Sequence, residues 1–162
     1  MLNCHVAAFM SHDVTCDIMN RADSLRYICT RLRPSLRAGA AAEVIRHVML
    51  GELTVLMDHK VAYEYRDVAF RARQLHVAGK SREQIADILN LLEARAEAVR
   101  VYFKPRPLSA DPNDDMVLDV AINGNADAIV TFNTKHFKSA AAKFNIDVVN
   151  PAELLTRIRS RR

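Results

Sequence analysis

The sequence lacks any apolar run long enough to cross a bilayer, and its first residues do not make a signal peptide. A membrane helix needs roughly 18 or more consecutive apolar residues, and none occurs here. The opening stretch, MLNCHVAAFMSHDVTCD, interrupts its apolar residues with His and Asp and has no basic start. We therefore expect a cytoplasmic protein with no membrane partner.

Cysteine is also scarce. The three cysteines, Cys4, Cys16 and Cys29, all lie near the N-terminus, and their odd number argues against a disulfide framework. Together with His5 and His12 they match no zinc-finger or zinc-ribbon spacing. The chain also has no glycine-rich phosphate cradle and no evident Ser/His/Asp or Cys/His arrangement, so neither nucleotide binding nor nucleophilic catalysis is indicated.

Positive charge is in moderate excess. The 162 residues fit one domain, half of them are hydrophobic, and the formal net charge is +4 with a pI near 9.1. This excess favours a polyanionic partner such as nucleic acid. The arginines concentrate at 26–37 and at 157–162, although a solvated helix end explains the second group equally well.

From residue 39 onward, apolar strands alternate with amphipathic helices. Ser81, with Gln84 three residues later, predicts a helix start closed by a capping box, and Asn150 before Pro151 predicts another start. This alternation predicts a three-layer α/β/α domain with a central, mostly parallel sheet. The predicted strands are 53–58, 99–103, 127–132 and 147–149, with a helix at 59–73 and another capped by Asp114 or Asp115.

Acidic and amide side chains follow these strands. In open α/β sheets the site lies at the carboxyl ends of the strands, so we expect these side chains to meet there. Carboxylates are the ligands that Mg²⁺ and Mn²⁺ prefer, and such ions assist phosphodiester hydrolysis. Basic flanks would then hold the phosphate backbone. The candidates are Asp58, Glu64, Asp111, Asp114, Asp115 and Asn133.

Each candidate also has a simpler interpretation. Glu64 fits a solvated helix position, and Asp is common in loops and at helix N-caps, which covers the acids at 111–115. Asn133 fits a turn. The six histidines show no metal-ligand spacing, and His136 fits a surface position or one that supports a ligand.

Four stretches in order resemble the PIN-domain family, in particular its branch of toxin–antitoxin toxins. They are LTVLMDHKVAYEYRDVAFR (53–71), the helix after it, DPNDDMVLDVAINGNADAIVTFNTKHF (111–137) and IDVVNPAELL (146–155). The second long stretch is the most specific, because an Asp-Pro-x-Asp-Asp start, a helix and then ADAIVTFN occur together. The resemblance runs from residue 37 to residue 162.

The resemblance implies a metal-dependent endoribonuclease. Glu64 matches the helix glutamate that binds metal, and Asp115, with Asp114 nearly as good, matches the third acid. Asn133 stands where the family often has an Asp, and it brings no charge. The implied cofactor is Mg²⁺ or Mn²⁺, and the implied partners are RNA, a cognate antitoxin and a second copy of the chain.

The chain departs from the family at its start. PIN domains open with an apolar strand ending in Asp-Thr-Asn-Val, whose Asp binds metal. Here the residues before the first helix read SLRYICTRLRPSLRAG, with four arginines and no acid. We therefore expect this strand to be degenerate or missing, with 1–36 an atypical segment and 37–162 the PIN-like domain. The metal would then be weakly held, unless Asp13, Asp17 or Asp23 substitutes.

A shifted reading frame would explain this departure. Residues 26–35, RYICTRLRPS, can be read one nucleotide later as Asp-Thr-Ser-Val-Leu-Val-Ser-Ala-Leu, with Tyr or Phe also possible at the third place. The same shift creates a stop at Met19-Asn20, so the lesion would fall between there and residue 38. Two functions stay open, an impaired endoribonuclease and a non-catalytic remnant that binds antitoxin or RNA. A receiver-type regulatory domain is disfavoured, because its lysine and phosphorylatable Asp are not evident.

Overall fold

The computed structural model describes residues 26–29, 39–105 and 112–160, the first range by its backbone alone. These residues form a five-stranded sheet of order β3-β2-β1-β4-β5, in which every pairing is parallel. The strands are β1 (Arg26–Cys29), β2 (Thr54–Met57), β3 (Glu97–Ala98), β4 (Ala128–Val130) and β5 (Asp147–Val149).

The middle strand is β1, which the sequence analysis expects to be missing. Tyr27 is in register with Val55 of β2 on one side and with Ala128 of β4 on the other. The expectation of a missing strand is therefore not confirmed, since the backbone at 26–29 pairs with both neighbours. The strand order reverses at β1, and in open α/β sheets such a reversal marks the crevice where ligands bind. The domain boundary at residue 37 stays a prediction.

Helices cover both faces of the sheet, which confirms the three-layer α/β/α class. The first helix contacts the fourth and the seventh, whereas the fifth contacts the sixth helix and packs on β1 and β2. The helices are α1 (Ala40–Met49), α2 (His59–Ala69), α3 (Ala72–Ala78), α4 (Arg82–Arg95), α5 (Pro112–Asn123), α6 (Thr134–Ala142) and α7 (Pro151–Ser160). Within these described ranges, no helix is both long and apolar enough to cross a membrane.

Local hydrogen bonds explain where several helices begin. Ser81 Oγ accepts from the Gln84 amide at 3.2 Å, and the Gln84 side chain accepts from the Ser81 amide at 3.0 Å, which confirms the capping box. Asn150 and Glu153 exchange the same pair of bonds, both at 2.9 Å, around Pro151. These contacts satisfy amide donors that the first turn of a helix leaves without partners.

Three boundaries differ from the sequence prediction. The helix expected at 59–73 is divided, because Arg71 is extended between α2 and α3. Helix α5 begins at Pro112, so Asp114 and Asp115 lie in its first turn and are not its cap. The strand expected at 99–103 is only Glu97–Ala98, followed by one further backbone bond from the Val99 amide to Met57 O at 2.8 Å.

The main core lies between the sheet and its helices, and a close backbone approach shapes one side of it. Leu56, Leu118 and Ile129 are fully buried there. A Cβ atom added at Gly124 would lie 2.7 Å from Leu56 Cδ1 and 2.9 Å from Val99 Cγ2. Real Cβ contacts are longer than this, so glycine allows the end of α5 to pack this closely on the sheet.

Candidate functional site

Three aspartates lie along α5, and all are nearly buried. Asp114 and Asp115 occupy the first turn, Asp119 lies one turn later, and their exposed fractions are 5%, 7% and 5%. Negative charge near a helix N-terminus is stabilised by the helix dipole. Asp115 and Asp119, four residues apart, share one side of the helix. The helix therefore carries a line of carboxylates away from bulk water.

Asp114 contacts the helix that follows β4. The Nδ1 atom of His136 lies 3.1 Å from Asp114 Oδ2, and the His136 side chain is about half exposed. His136 is in the first turn of α6, and β4 pairs directly with the middle strand. This contact places the start of α5 beside the carboxyl end of β4, the region where the sequence predicts the site.

The other predicted site residues are arranged more loosely. Glu64 lies half-buried in the middle of α2, and Asn133 is exposed, with its amide donating to Thr131 Oγ1 at 3.1 Å. Asp58 accepts a 2.8 Å hydrogen bond from the Val61 amide and so caps α2. Asp58 is thus a helix N-cap, a role that the sequence interpretation considered only for the acids at 111–115. Asp111 lies outside the described residues.

The described carboxylates do not assemble into a metal centre. Across 39–105 and 112–160, no three His, Cys, Asp or Glu side chains are close enough to hold an ion, so Glu64, Asp114 and Asp115 are not gathered. The sequence also has no Asp or Glu between Asp23 and Glu43, a stretch that includes the middle strand. Divalent cations need several oxygen ligands, so the donors in the described ranges do not by themselves fit a firmly held Mg²⁺ or Mn²⁺.

A cleft of about 330 Å³, which no sequence pattern predicts, opens beside these acids. It lies between the start of α2, the segment that follows β3, and α5, which contributes Met116 and Asp119. Asp119 is the residue that sequence reasoning misses, although its spacing of four from Asp115 is a signal for a shared helix face. The cleft thus adjoins the line of carboxylates on α5.

The charges of this cleft are separated by depth. Lys60, Arg100 and Lys104 are exposed, and all three line it. The two acids in the lining are less available: Asp58 caps α2, while Asp119 is nearly buried and has partners of its own. The three exposed cations therefore form a cationic rim, whereas the acids of the lining are half-buried or buried.

One asparagine fixes the segment that forms a wall of the cleft. Asn123 Oδ1 accepts from the amides of Tyr102 and Phe103 at 3.0 and 2.9 Å, and its Nδ2 donates to Phe103 O at 2.7 Å. The same Nδ2 donates to Asp119 O at 2.8 Å, which joins the wall to α5. These bonds satisfy backbone groups of a segment that lies outside the sheet.

Comparison with protein families gives one match. Residues 21–135 match a family described as the PIN domain. The matched range includes β1 to β4, all of α5 and the first residues of α6. No curated protein matches the chain.

Proposed function

We propose, because the chain belongs to the PIN-domain family, that it is a toxin-type endoribonuclease of a toxin–antitoxin pair whose cleavage of RNA is impaired. Membership of this family supports a nuclease-type function. The toxin role, the antitoxin partner, homodimerisation and the divalent metal are parts of the proposal.

One observation supports impairment above the others. The site holds carboxylates on α5 and on α2, yet the described residues gather no set of three, and positions 24–42 contain no acid. Metal-assisted phosphodiester hydrolysis depends on carboxylates that fix the ion. Glu64, Asp114 and Asp115 would therefore hold Mg²⁺ or Mn²⁺ only weakly.

A second candidate function is a non-catalytic PIN domain that binds RNA or an antitoxin. The cationic rim formed by Lys60, Arg100 and Lys104 favours this alternative, because it offers phosphate contacts that need no metal. Both candidate functions include RNA binding, but only the first includes RNA cleavage. They are therefore separated by metal binding and cleavage.

Calorimetric titration with Mn²⁺ tests the catalytic function, using the wild-type chain, Glu64→Gln and Asp115→Asn. Weak binding in the wild type that each substitution weakens further supports a residual metal site. Absent binding, or binding that is equal in all three proteins, removes the catalytic function and leaves the non-catalytic one. RNA cleavage in Mn²⁺, measured on the same proteins, should follow the same order.

We also propose that the opening segment carries a shifted reading frame between roughly codons 20 and 38. The absence of any acid from 24 to 42 supports this proposal. Sequencing of the gene tests it directly, and a stretch without hidden Asp-Thr codons contradicts it. A repaired chain should bind Mn²⁺ more tightly than the present one, and replacing its restored Asp by Asn should abolish the gain.

A further inference from the structure

Side chains of the cationic rim are spaced regularly along one segment, as phosphates are along a nucleic-acid strand. Arg100, Tyr102 and Lys104 occur at every second position of one segment, and all three line the cleft. Lys60 lines it from the first turn of α2. Successive phosphates on a nucleic-acid strand attract such a set of exposed cations.

An aromatic ring is displayed within this set. Tyr102 is 80% exposed, the most exposed of the large hydrophobic side chains in the described part of the chain. A single exposed aromatic residue is ordinary on a protein surface. Here, however, Asn123 fixes the backbone that carries the ring, so the attachment point of the ring is set before any ligand arrives.

The neighbouring residue contributes to the same rigidity. Phe103 packs edge-to-face against Phe144, with ring centroids 6.5 Å apart and planes at 71°. The Phe103 side chain thus fixes the segment on Phe144, while Tyr102 lines the cleft. A segment whose backbone is already fixed loses less entropy when a base stacks on one of its side chains.

We infer that this cleft binds single-stranded RNA, with Lys60, Arg100 and Lys104 contacting phosphates and Tyr102 stacking on one base. The choice of RNA as ligand rests on the proposed function; the location of the cleft does not. Stacking on a tyrosine requires an unpaired base, because a duplex hides the faces of its bases. Binding is independent of metal, since no contact in the inference involves one.

Fluorescence anisotropy in EDTA tests the inference, with a labelled oligouridylate of about 12 nucleotides as the probe. The variant Tyr102→Ala should bind roughly 5- to 100-fold more weakly, whereas Tyr102→Phe should bind like the wild type. Tyr63→Ala is the matched control, because Tyr63 is 77% exposed on α2 and does not line the cleft. It should leave affinity unchanged.

Salt dependence tests the phosphate contacts separately. Each phosphate contact on a single-stranded nucleic acid contributes about 0.7 to the steepness of log affinity against log salt concentration. Replacing Lys60, Arg100 and Lys104 by alanine should therefore reduce this steepness by about 2. The control replaces three exposed cations outside the cleft, Arg73, Arg95 and Lys138, and removes the same net charge. Its slope should stay close to that of the wild type.

The outcomes separate this inference from the proposed function. The inference that the cleft binds single-stranded RNA is overturned by any of three results. These are equal weakening of binding by both triple variants, no effect of Tyr102→Ala, or equal displacement of the probe by duplex RNA or polyglutamate. RNA cleavage in Mn²⁺ combined with any of these results leaves the proposed function standing. Cleft-dependent RNA binding without cleavage supports the inference and removes the catalytic function. Circular dichroism of each variant checks that it is folded.

Discussion

His136 and Asp114 connect the first turns of two neighbouring helices, α6 and α5. The imidazole Nδ1 lies 3.1 Å from the carboxylate Oδ2, with the histidine about half exposed and the aspartate nearly buried. The pair joins α5, which carries the line of acids, to α6, which follows β4. The position of the acids therefore depends on a contact with the neighbouring helix.

Replacing His136 by alanine should lower the free energy of unfolding by about 1 kcal/mol, because a nearly buried carboxylate loses a hydrogen-bond partner. Urea unfolding measures the change. Lys135→Ala, an exposed neighbour in the same turn, is the control and should be close to neutral. Equal stability of the two variants would show that the contact contributes nothing.

Asn123→Ala should cost about 2 kcal/mol of unfolding free energy, since its side chain makes four hydrogen bonds to backbone groups. The effect on hydrogen exchange near Asn123 should be larger than the effect on global stability. Hydrogen exchange of the Tyr102 and Phe103 amides should be slow in the wild type and fast in the variant. Fast exchange of both amides in the wild type would mean that Asn123 does not hold this segment.

Gly124→Ala should destabilise the fold by about 1–3 kcal/mol, because the added methyl group overlaps two side chains in a packed region. Adding Val99→Ala should recover part of this loss, since it removes one of the three atoms within 3.0 Å of the added methyl group. A double-mutant cycle from urea unfolding measures this coupling. Additive effects would indicate that the backbone shifts to accommodate the methyl group.

The ion pair on α1 predicts a pH-dependent contribution to stability. The hydrogen bond from Arg46 holds the pKa of Glu43 below its ordinary value of 4.5, and the positive charges of Arg46 and His47 act in the same direction. A lowered pKa in the folded state stabilises the fold above the ordinary value, and this contribution disappears as the pH falls through the lowered pKa.

The variant Arg46→Gln should therefore be slightly less stable than the wild type at neutral pH. The difference should shrink as the pH falls below 4.5 and vanish below the lowered pKa of Glu43. High salt should reduce it, because both side chains are partly exposed to solvent. Urea midpoints across this pH range measure it. If the difference persists under acidic conditions, it comes from helix propensity or packing and not from the charge of Glu43.

Local patterns identify most of the fold, and long-range contacts account for what they miss. The alternation of apolar runs predicts β2, β4 and β5, and side-chain spacing predicts the starts of α4 and α7. The residues at 99–103 have the composition of a strand, yet the amides of Tyr102 and Phe103 bond to Asn123 some 20 residues later. No local pattern reveals that partner.

The middle strand shows the same limit. The residues RYIC give no apolar signature of a buried strand, but the backbone at 26–29 pairs with β2 and β4 through groups that every residue has. Whether a segment forms a strand depends strongly on the strands beside it. At the site, the sequence places Asp114 and Asp115 on one helix but cannot give their distance from Glu64, and Asp119 was recoverable from its spacing alone.

The central position of β1 has a consequence for synthesis on the ribosome. This strand is made early, and β2 follows soon after it, but its other neighbour, β4, lies about 100 residues further along the chain. At roughly 5–20 residues per second, the growing chain carries β1 with one open edge for about 5–20 seconds. An open strand edge invites pairing with other chains, so the nascent protein should depend on chaperones until translation passes β4.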